Sequence, residues 1–182
     1  MKYNPDIHHR RSIRLKGYDY SGEGWYFITI CTHNQAHLFG KIEKGEMMLN
    51  DAGRMVEQQW REMVCHFQNI RLHECIVMPN HFHGIVEFVV TPLAGVRNGG
   101  QPQTGQPQGI APTVGDVVGA FKSITSNDYI RNVKQNNWQP FAEKLWQRNY
   151  YEHIIRDQQS YVEIAEYIQT NHLKWLADRY YG

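Results

Sequence analysis

Residues 70–78 and 81–90 are two runs of apolar and β-branched side chains separated only by Pro79-Asn80. Proline presets φ and asparagine bonds back to its own backbone, so this dipeptide marks a tight turn. Two strands joined so closely must run antiparallel. The middle of the chain therefore predicts a hairpin, and its second arm opens with His81-Phe82-His83. In an extended segment successive side chains alternate between faces. His81 and His83 then share one face, and Phe82 enters the opposite layer. Two imidazoles on one face can hold a divalent cation. The plainer reading is a pair of hydrogen-bonded or surface histidines, and the remaining eight of the ten histidines are read as structural or exposed.

Other elements group around this hairpin. Residues 25–32 (Trp-Tyr-Phe-Ile-Thr-Ile-Cys-Thr) read as a strand opened by the turn signal Ser21-Gly22-Glu23-Gly24. Asn50 or Asp51 can cap a following helix whose stripe is Met55, Val56, Trp60 and Met63. A second helix is expected over residues 113–133, with Val117, Val118, Phe121 and Ile124 apolar and Lys122 off that face. Residues 141–151 hold Leu145, Trp146, Tyr150 and Tyr151 and are expected to supply a fourth strand. A last helix runs over residues 157–171, with Tyr161, Ile164, Ala165 and Ile168 at i, i+3, i+4 and i+7. The order strand, helix, strand, strand, helix, strand, helix predicts an α+β chain. Its architecture is a ferredoxin-like split β-α-β sandwich with an additional C-terminal helix. That topology sets the first and third strands side by side at the centre of an antiparallel sheet, with helices over one face. The fold hosts many functions and names none.

A length of 182 residues with 41% hydrophobic side chains suits one domain over 1–182. The formal net charge of +1 gives no global field that demands a polyanionic partner. Charge is nevertheless uneven: within residues 1–20 lies a basic arm carrying Arg10, Arg11, Arg14 and Lys16. It is either a solvated tail or a contact for phosphates. Residues 91–112 are dominated by Gly, Gln and Pro, with Gly-Gln-Pro-Gln at 100–103 and again at 105–108, and are expected to be a flexible loop. Three cysteines (Cys31, Cys65 and Cys75) form no CxxC pair, which fits reduced, buried thiols in a cytoplasmic protein. There is no apolar run of membrane-spanning length, and the first residues lack a signal-peptide core. The expectation is a soluble, cytoplasmic protein with no membrane partner. Gly115 to Ser123 lacks the spacing of a P-loop, which argues against nucleoside triphosphates.

On the last helix, Tyr167 falls on the flank of the apolar stripe, and Asn171 lies one turn beyond on the same flank. A phenol with a pKa near 10 is a weak nucleophile until a cation or base assists it. Attack on a phosphodiester would form a phosphotyrosine, which conserves the ester bond for resealing. The bland alternative is one packing tyrosine among 11.

Together these segments resemble a known family. Met78-Pro79-Asn80-His81-Phe82-His83-Gly84 is similar to the HUH motif (His, bulky hydrophobic, His) of single-tyrosine transposases. Residues 146–156 resemble the segment preceding their catalytic helix, and residues 12–20 resemble the start of one subgroup, the REP-associated tyrosine transposases. The resemblance implies a metal-dependent, single-strand DNA endonuclease and strand transferase. Tyr167 would be the nucleophile, and His81, His83 and Asn171 would hold Mg2+ or Mn2+. The product would be a 5′-phosphotyrosine beside a free 3′-hydroxyl. Its substrates would be single strands that fold into hairpins. Arg10, Arg11, Arg14, Lys16 and Lys122 would contact phosphates, and the chain would work as a monomer or a homodimer. Tyr161, centred on the apolar stripe, is the rival tyrosine and reads as packing. Two other functions compete: a non-catalytic hairpin-binding module on the same fold, and a metal phosphoesterase that uses water as nucleophile.

Overall fold

The computed structural model describes residues 23–89 and 112–177. The basic arm with Arg10, Arg11, Arg14 and Lys16, and all but the last residue of the 91–112 loop, lie outside them. The strands are β1 (Gly24–Cys31), β2 (Gly40–Glu43), β3 (Glu46–Leu49), β4 (Ile70–Val77), β5 (His81–Phe88) and β6 (Tyr151–Ile155). The helices are α1 (Asp51–His66), α2 (Val114–Gln135) and α3 (Gln158–Thr170). A 3-10 segment, Asn171–Ala177, continues from α3.

Four strands form one antiparallel sheet in the order β4-β5-β1-β6. With the small β2-β3 hairpin set aside, this is the split β-α-β arrangement, and β1 and β5 are central as the sequence predicts. β4 and β5 are joined by the Pro79-Asn80 turn, closed by a hydrogen bond from Met78 N–H to the His81 carbonyl at 2.8 Å. Asn50, not Asp51, caps α1: its side chain accepts from the Gly53 N–H at 2.9 Å. Thr113 and Asp116 form a reciprocal capping box at the start of α2. Asp157 caps α3 by accepting from the Ser160 N–H at 2.8 Å. Each cap satisfies an N–H that the first helical turn leaves without an intrahelical partner.

Alternation along the strands sorts the molecule into layers. Tyr26, Ile28 and Ile30 of β1 and Phe82, Val86 and Phe88 of β5 face α1 and α2 in the larger core. Its centre is an aromatic cluster in which Phe82 lies 4.9 Å from Trp60 and 5.2 Å from Phe121, centroid to centroid. Removing a side chain the size of Phe82 from water stabilises a fold by about 1.5–3 kcal/mol. Gly84 leaves room for this cluster, because a Cβ there would stand 2.9 Å from the Phe82 ring. The opposite face of the sheet packs Phe27, Ile85 and Ile155 against Ala165 and Ile168 of α3.

Two expectations are corrected, and one element is added. Helices cover both faces of the sheet, because the stripe of α3 seats on the face that α1 and α2 leave open. The fourth strand is Tyr151–Ile155, later than residues 141–151. Leu145 and Trp146 are buried without belonging to it; Trp146 makes an isolated bridge to Thr32, and its indole N–H donates to Thr125 Oγ1 at 2.8 Å. The β2-β3 hairpin was not foreseen; it turns at Lys44-Gly45, both at positive φ.

Candidate active site

β5 is buried on both faces and paired on both edges, so the two histidines at its start occupy a rigid frame. His81 and His83 are both fully buried, with ring centroids 4.6 Å apart. Phe82 points the other way, into the aromatic cluster. The shared face inferred from alternation is therefore present.

A second layer of oxygens orients both rings. His81 Nδ1 lies 2.8 Å from Asn80 Oδ1. Asn80 turns its amide nitrogen towards the Gln35 carbonyl at 3.3 Å, which leaves Oδ1 as the acceptor for His81. Nδ1 of His81 then carries the proton, and the buried Nε2 carries the lone pair. His83 Nδ1 lies 2.8 Å from the hydroxyl of Thr29, its direct partner across the β1-β5 ladder. With Thr29 accepting, the His83 Nε2 lone pair also faces away from the sheet. Fixing an imidazole through its remote nitrogen is the usual way a protein prepares it as a ligand.

α3 brings the third component. Burial of Ala165 and Ile168 fixes the rotation of the helix, and this sets Tyr167 on the flank. The Tyr167 hydroxyl lies 3.4 Å from His83 Nε2, at the outer edge of hydrogen-bond reach. Its ring stands 5.3 Å from the His83 ring and 6.1 Å from that of Phe27. Asn171, at the C-terminal end of α3, is buried. It lies in the chain between Tyr167, which touches His83, and Trp175, which stacks on His81 with centroids 6.0 Å apart. Among the described residues no group of three His, Cys, Asp or Glu side chains is placed to hold a metal ion. A third protein ligand beside the two imidazoles would thus be an amide or a phenol, as Asn171, the C-cap of α3, and Tyr167 within it could supply.

Tyr161 occupies a different environment. Its hydroxyl donates to Glu74 Oε2 at 2.7 Å and lies 3.2 Å from His73 Nδ1, on β4. Burial, the bond to Glu74 and nearby carboxylate charge push its phenol up to about 12. That makes it a poorer nucleophile than an ordinary tyrosine, and it stands away from the histidine pair. Lys122 is also placed differently from a solvated phosphate contact. Its ammonium donates to the carbonyls of Gln147, Arg148 and Asn149 at 2.9, 3.3 and 3.1 Å, and it sits 5.4 Å from the centroid of the Tyr150 ring. These contacts hold the segment leading into β6. Burial lowers its pKa to about 8. Arg10, Arg11, Arg14 and Lys16 lie outside the described residues. No disulfide links the cysteines, and the burial expected of them is not met: Cys65, on the outer side of α1, is exposed and Cys31 and Cys75 are half-buried; burial raises the Cys75 thiol to about 11, which keeps it protonated.

Three contributors escaped the sequence reading. Thr29 is an ordinary strand threonine until the β1-β5 register places it opposite His83. Asn80 reads only as a turn residue. Trp175 has no local signal, since its role comes from the 3-10 segment folding back over His81. No helix among the described residues is long and apolar enough to cross a membrane.

No family model matches the chain. A Haemophilus influenzae protein of uncharacterised function is 46% identical over 188 residues, covering 99% of this chain and 97% of that protein. Among solved structures, a REP-associated tyrosine transposase bound to a REP hairpin superposes with a TM-score of 0.54 at 16% identity. The match covers 90% of this chain and 74% of that one. The split β-α-β sheet and the C-terminal helix laid across it thus have a solved counterpart. The chain belongs to one family with the Haemophilus protein and has the fold of the REP-associated tyrosine transposase.

Proposed function

We propose that the protein is a transposase-type, metal-dependent, single-strand DNA nickase and strand transferase that uses Tyr167 as its nucleophile. The observation that carries this reading is the approach of the Tyr167 hydroxyl to His83 Nε2 at 3.4 Å, on a strand where His81 shares the same face. The donor set fits a divalent cation. Two imidazoles have their Nδ1 atoms held by Asn80 and Thr29, and the buried Asn171 lies on the facing helix. His81, His83 and Asn171 would hold Mg2+ or Mn2+. When bound, such an ion supplies Lewis-acid polarisation of a non-bridging phosphate oxygen.

The chain's own groups do the rest. Tyr167 loses its phenolic proton and its oxygen forms a bond to phosphorus. The bond from phosphorus to the 3′ oxygen breaks, and that oxygen takes up a proton as a free hydroxyl. The 5′-phosphotyrosine preserves the ester, so a second 3′-hydroxyl can reverse the step and join new ends. Phe27 and Trp175 flank the histidines and shield them from water. The solved transposase was bound to a REP hairpin; hairpin-bearing single strands are accordingly the substrates we assign.

A second reading, a hairpin-binding module without catalysis, draws on the sparse donor set, which has no carboxylate beside the two histidines among the described residues. One experiment separates the readings. The protein is incubated with labelled hairpin-bearing single strands from the flanks of its own gene, with Mn2+ or Mg2+, and run on a denaturing protein gel. A metal-dependent adduct present in Tyr161→Phe but absent in Tyr167→Phe and His81→Ala is expected. Binding with no adduct in either metal would select the binding module. Turnover retained in Tyr167→Phe would select water as the nucleophile.

A further inference from the structure

At the far end of the sheet from the histidines a cleft of about 520 Å³ opens beside α3. It falls within the range of small-molecule sites. One transverse row of the sheet forms its floor. Arg71 of β4 pairs with Glu87 of β5, Glu87 pairs with Trp25 of β1, and Trp25 pairs with Ile155 of β6. Arg156 follows directly after β6, and Glu23 closes the rim.

The walls are held in place from behind. The Trp25 ring packs 5.1 Å from the Tyr161 ring and 6.5 Å from that of His73. The Glu87 carboxylate lies 3.0 Å from His73 Nε2 and 3.9 Å from Arg71. His73 is in turn 3.2 Å from the Tyr161 hydroxyl, which donates to Glu74. A fixed indole, a fixed carboxylate and two exposed guanidiniums therefore converge on one cleft. Arg71 is 69% exposed, and Arg156 makes no ion pair among the described residues.

This combination selects a ligand. Two carboxylates disfavour a bare polyanion. An indole beside guanidiniums favours a planar group that carries a phosphate. A carboxylate only accepts hydrogen bonds, so the planar group must present N–H donors, as an unpaired base does along its edge. We propose that this cleft takes one unpaired nucleotide of a single strand. Its base lies against Trp25 with an N–H edge on Glu87, and its phosphate lies between Arg71 and Arg156. The inference rests on the single-strand reading above and adds an anchoring site to it. Glu87 is four residues from His83, or about 13 Å at the rise of a strand. The anchor is thus separate from the reacting phosphate and sets which stretch of strand reaches Tyr167.

The test measures binding, apart from cleavage. Fluorescence anisotropy of a labelled mixed-sequence single strand is followed at several salt concentrations for the full chain. The same is done for the double variant Arg71→Gln/Arg156→Gln, for Trp25→Phe and for Arg61→Gln, an exposed arginine of α1 outside the cleft. The two arginines are at the surface, and circular dichroism checks that their loss leaves the fold intact. We expect the double variant to bind at least tenfold more weakly. The slope of log K against log salt should fall by about 0.7, from the one phosphate that the two arginines share on a single strand. Trp25→Phe should retain most of the affinity and Arg61→Gln all of it. An unchanged affinity and slope in the double variant would overturn the anchor. Equal competition by millimolar inorganic phosphate would reduce it to an anion site and overturn the nucleotide assignment. Single-strand binding sensitive to the two arginines but without any covalent adduct would uphold the anchor while removing the nickase. No single-strand binding by the full chain would remove both.

Discussion

Replacing Gly84 by alanine should destabilise the protein, although alanine is the better residue by backbone entropy alone. The added Cβ would stand 2.9 Å from two ring carbons of Phe82 and 3.0 Å from a ring carbon of Trp60. Carbon pairs are most stable at about 3.5–4.0 Å, so the rings must yield by roughly 0.5–1 Å. Neither ring has space, for both are fully buried and each also packs on Phe121, at 5.2 and 5.3 Å. Overpacking of this kind costs about 1–3 kcal/mol. The reduced freedom of the unfolded chain offsets about 0.4–1 kcal/mol. The net expectation is a loss of about 1–2 kcal/mol. Gly119→Ala is the internal control: it lies in the interior of α2, and nothing stands within 4 Å of its would-be Cβ. There the same methyl group should stabilise by about 0.5–1 kcal/mol through helix propensity. Urea unfolding followed by far-ultraviolet circular dichroism measures both. Gly84→Ala as stable as the wild type, at an unchanged m-value, would refute the packing argument. So would two alanine variants that move in the same direction.

Three more perturbations have defined outcomes. Thr125→Val removes the acceptor of the buried Trp146 indole N–H while keeping volume; urea unfolding should show a loss of about 1–3 kcal/mol, and a neutral result would contradict the bond's role. Burial holds Lys122 near 8 in the fold against about 10.5 otherwise. Between those values Lys122 binds more protons in the unfolded chain, so the stability of the wild type relative to Lys122→Met should rise with pH. Unfolding of both proteins below and above that window checks the sign. Thr29→Val removes the hydroxyl beside His83 Nδ1. Manganese affinity by titration calorimetry should fall about 10–100-fold while unfolding stability changes little, and an unchanged affinity would remove Thr29 from the site.

Local chemistry made much of the fold readable. The bounds of α3 followed from Asp157 and the stripe through Ala165 and Ile168, because a cap and a period are both local signals. The common face of His81 and His83 followed from alternation alone. The flank position of Tyr167 followed from its angle to the stripe. Non-local information was missing. Leu145 and Trp146 resemble strand residues because they are bulky and apolar, yet their partners lie far away in sequence: Trp146 meets Thr32 and Thr125, and the Leu145 carbonyl accepts from the His33 N–H. The face of the sheet that α3 would choose depends on which face α1 and α2 fill first, and no property of α3 reveals it. Lys122 looked solvated on a helical wheel, whereas the carbonyls that hold it arrive from residues 147–149. The polar chain joining Tyr161, Glu74, His73 and Glu87 spans three elements and left no trace in any one of them.

The two sides of the sheet differ in thickness. Among the described residues, twenty-one buried side chains form the core beneath α1 and α2, while five form the one beneath α3. Local opening of a folded protein begins where the fewest apolar contacts must be broken. Amide protons of α3 should therefore exchange with solvent ahead of those in β1 and β5, through an excursion that leaves the sheet intact. The histidine pair belongs to the slow-exchanging frame and Tyr167 to the fast-exchanging cover. Such an opening would part and re-form the contact between Tyr167 and His83 at a small fraction of the cost of unfolding.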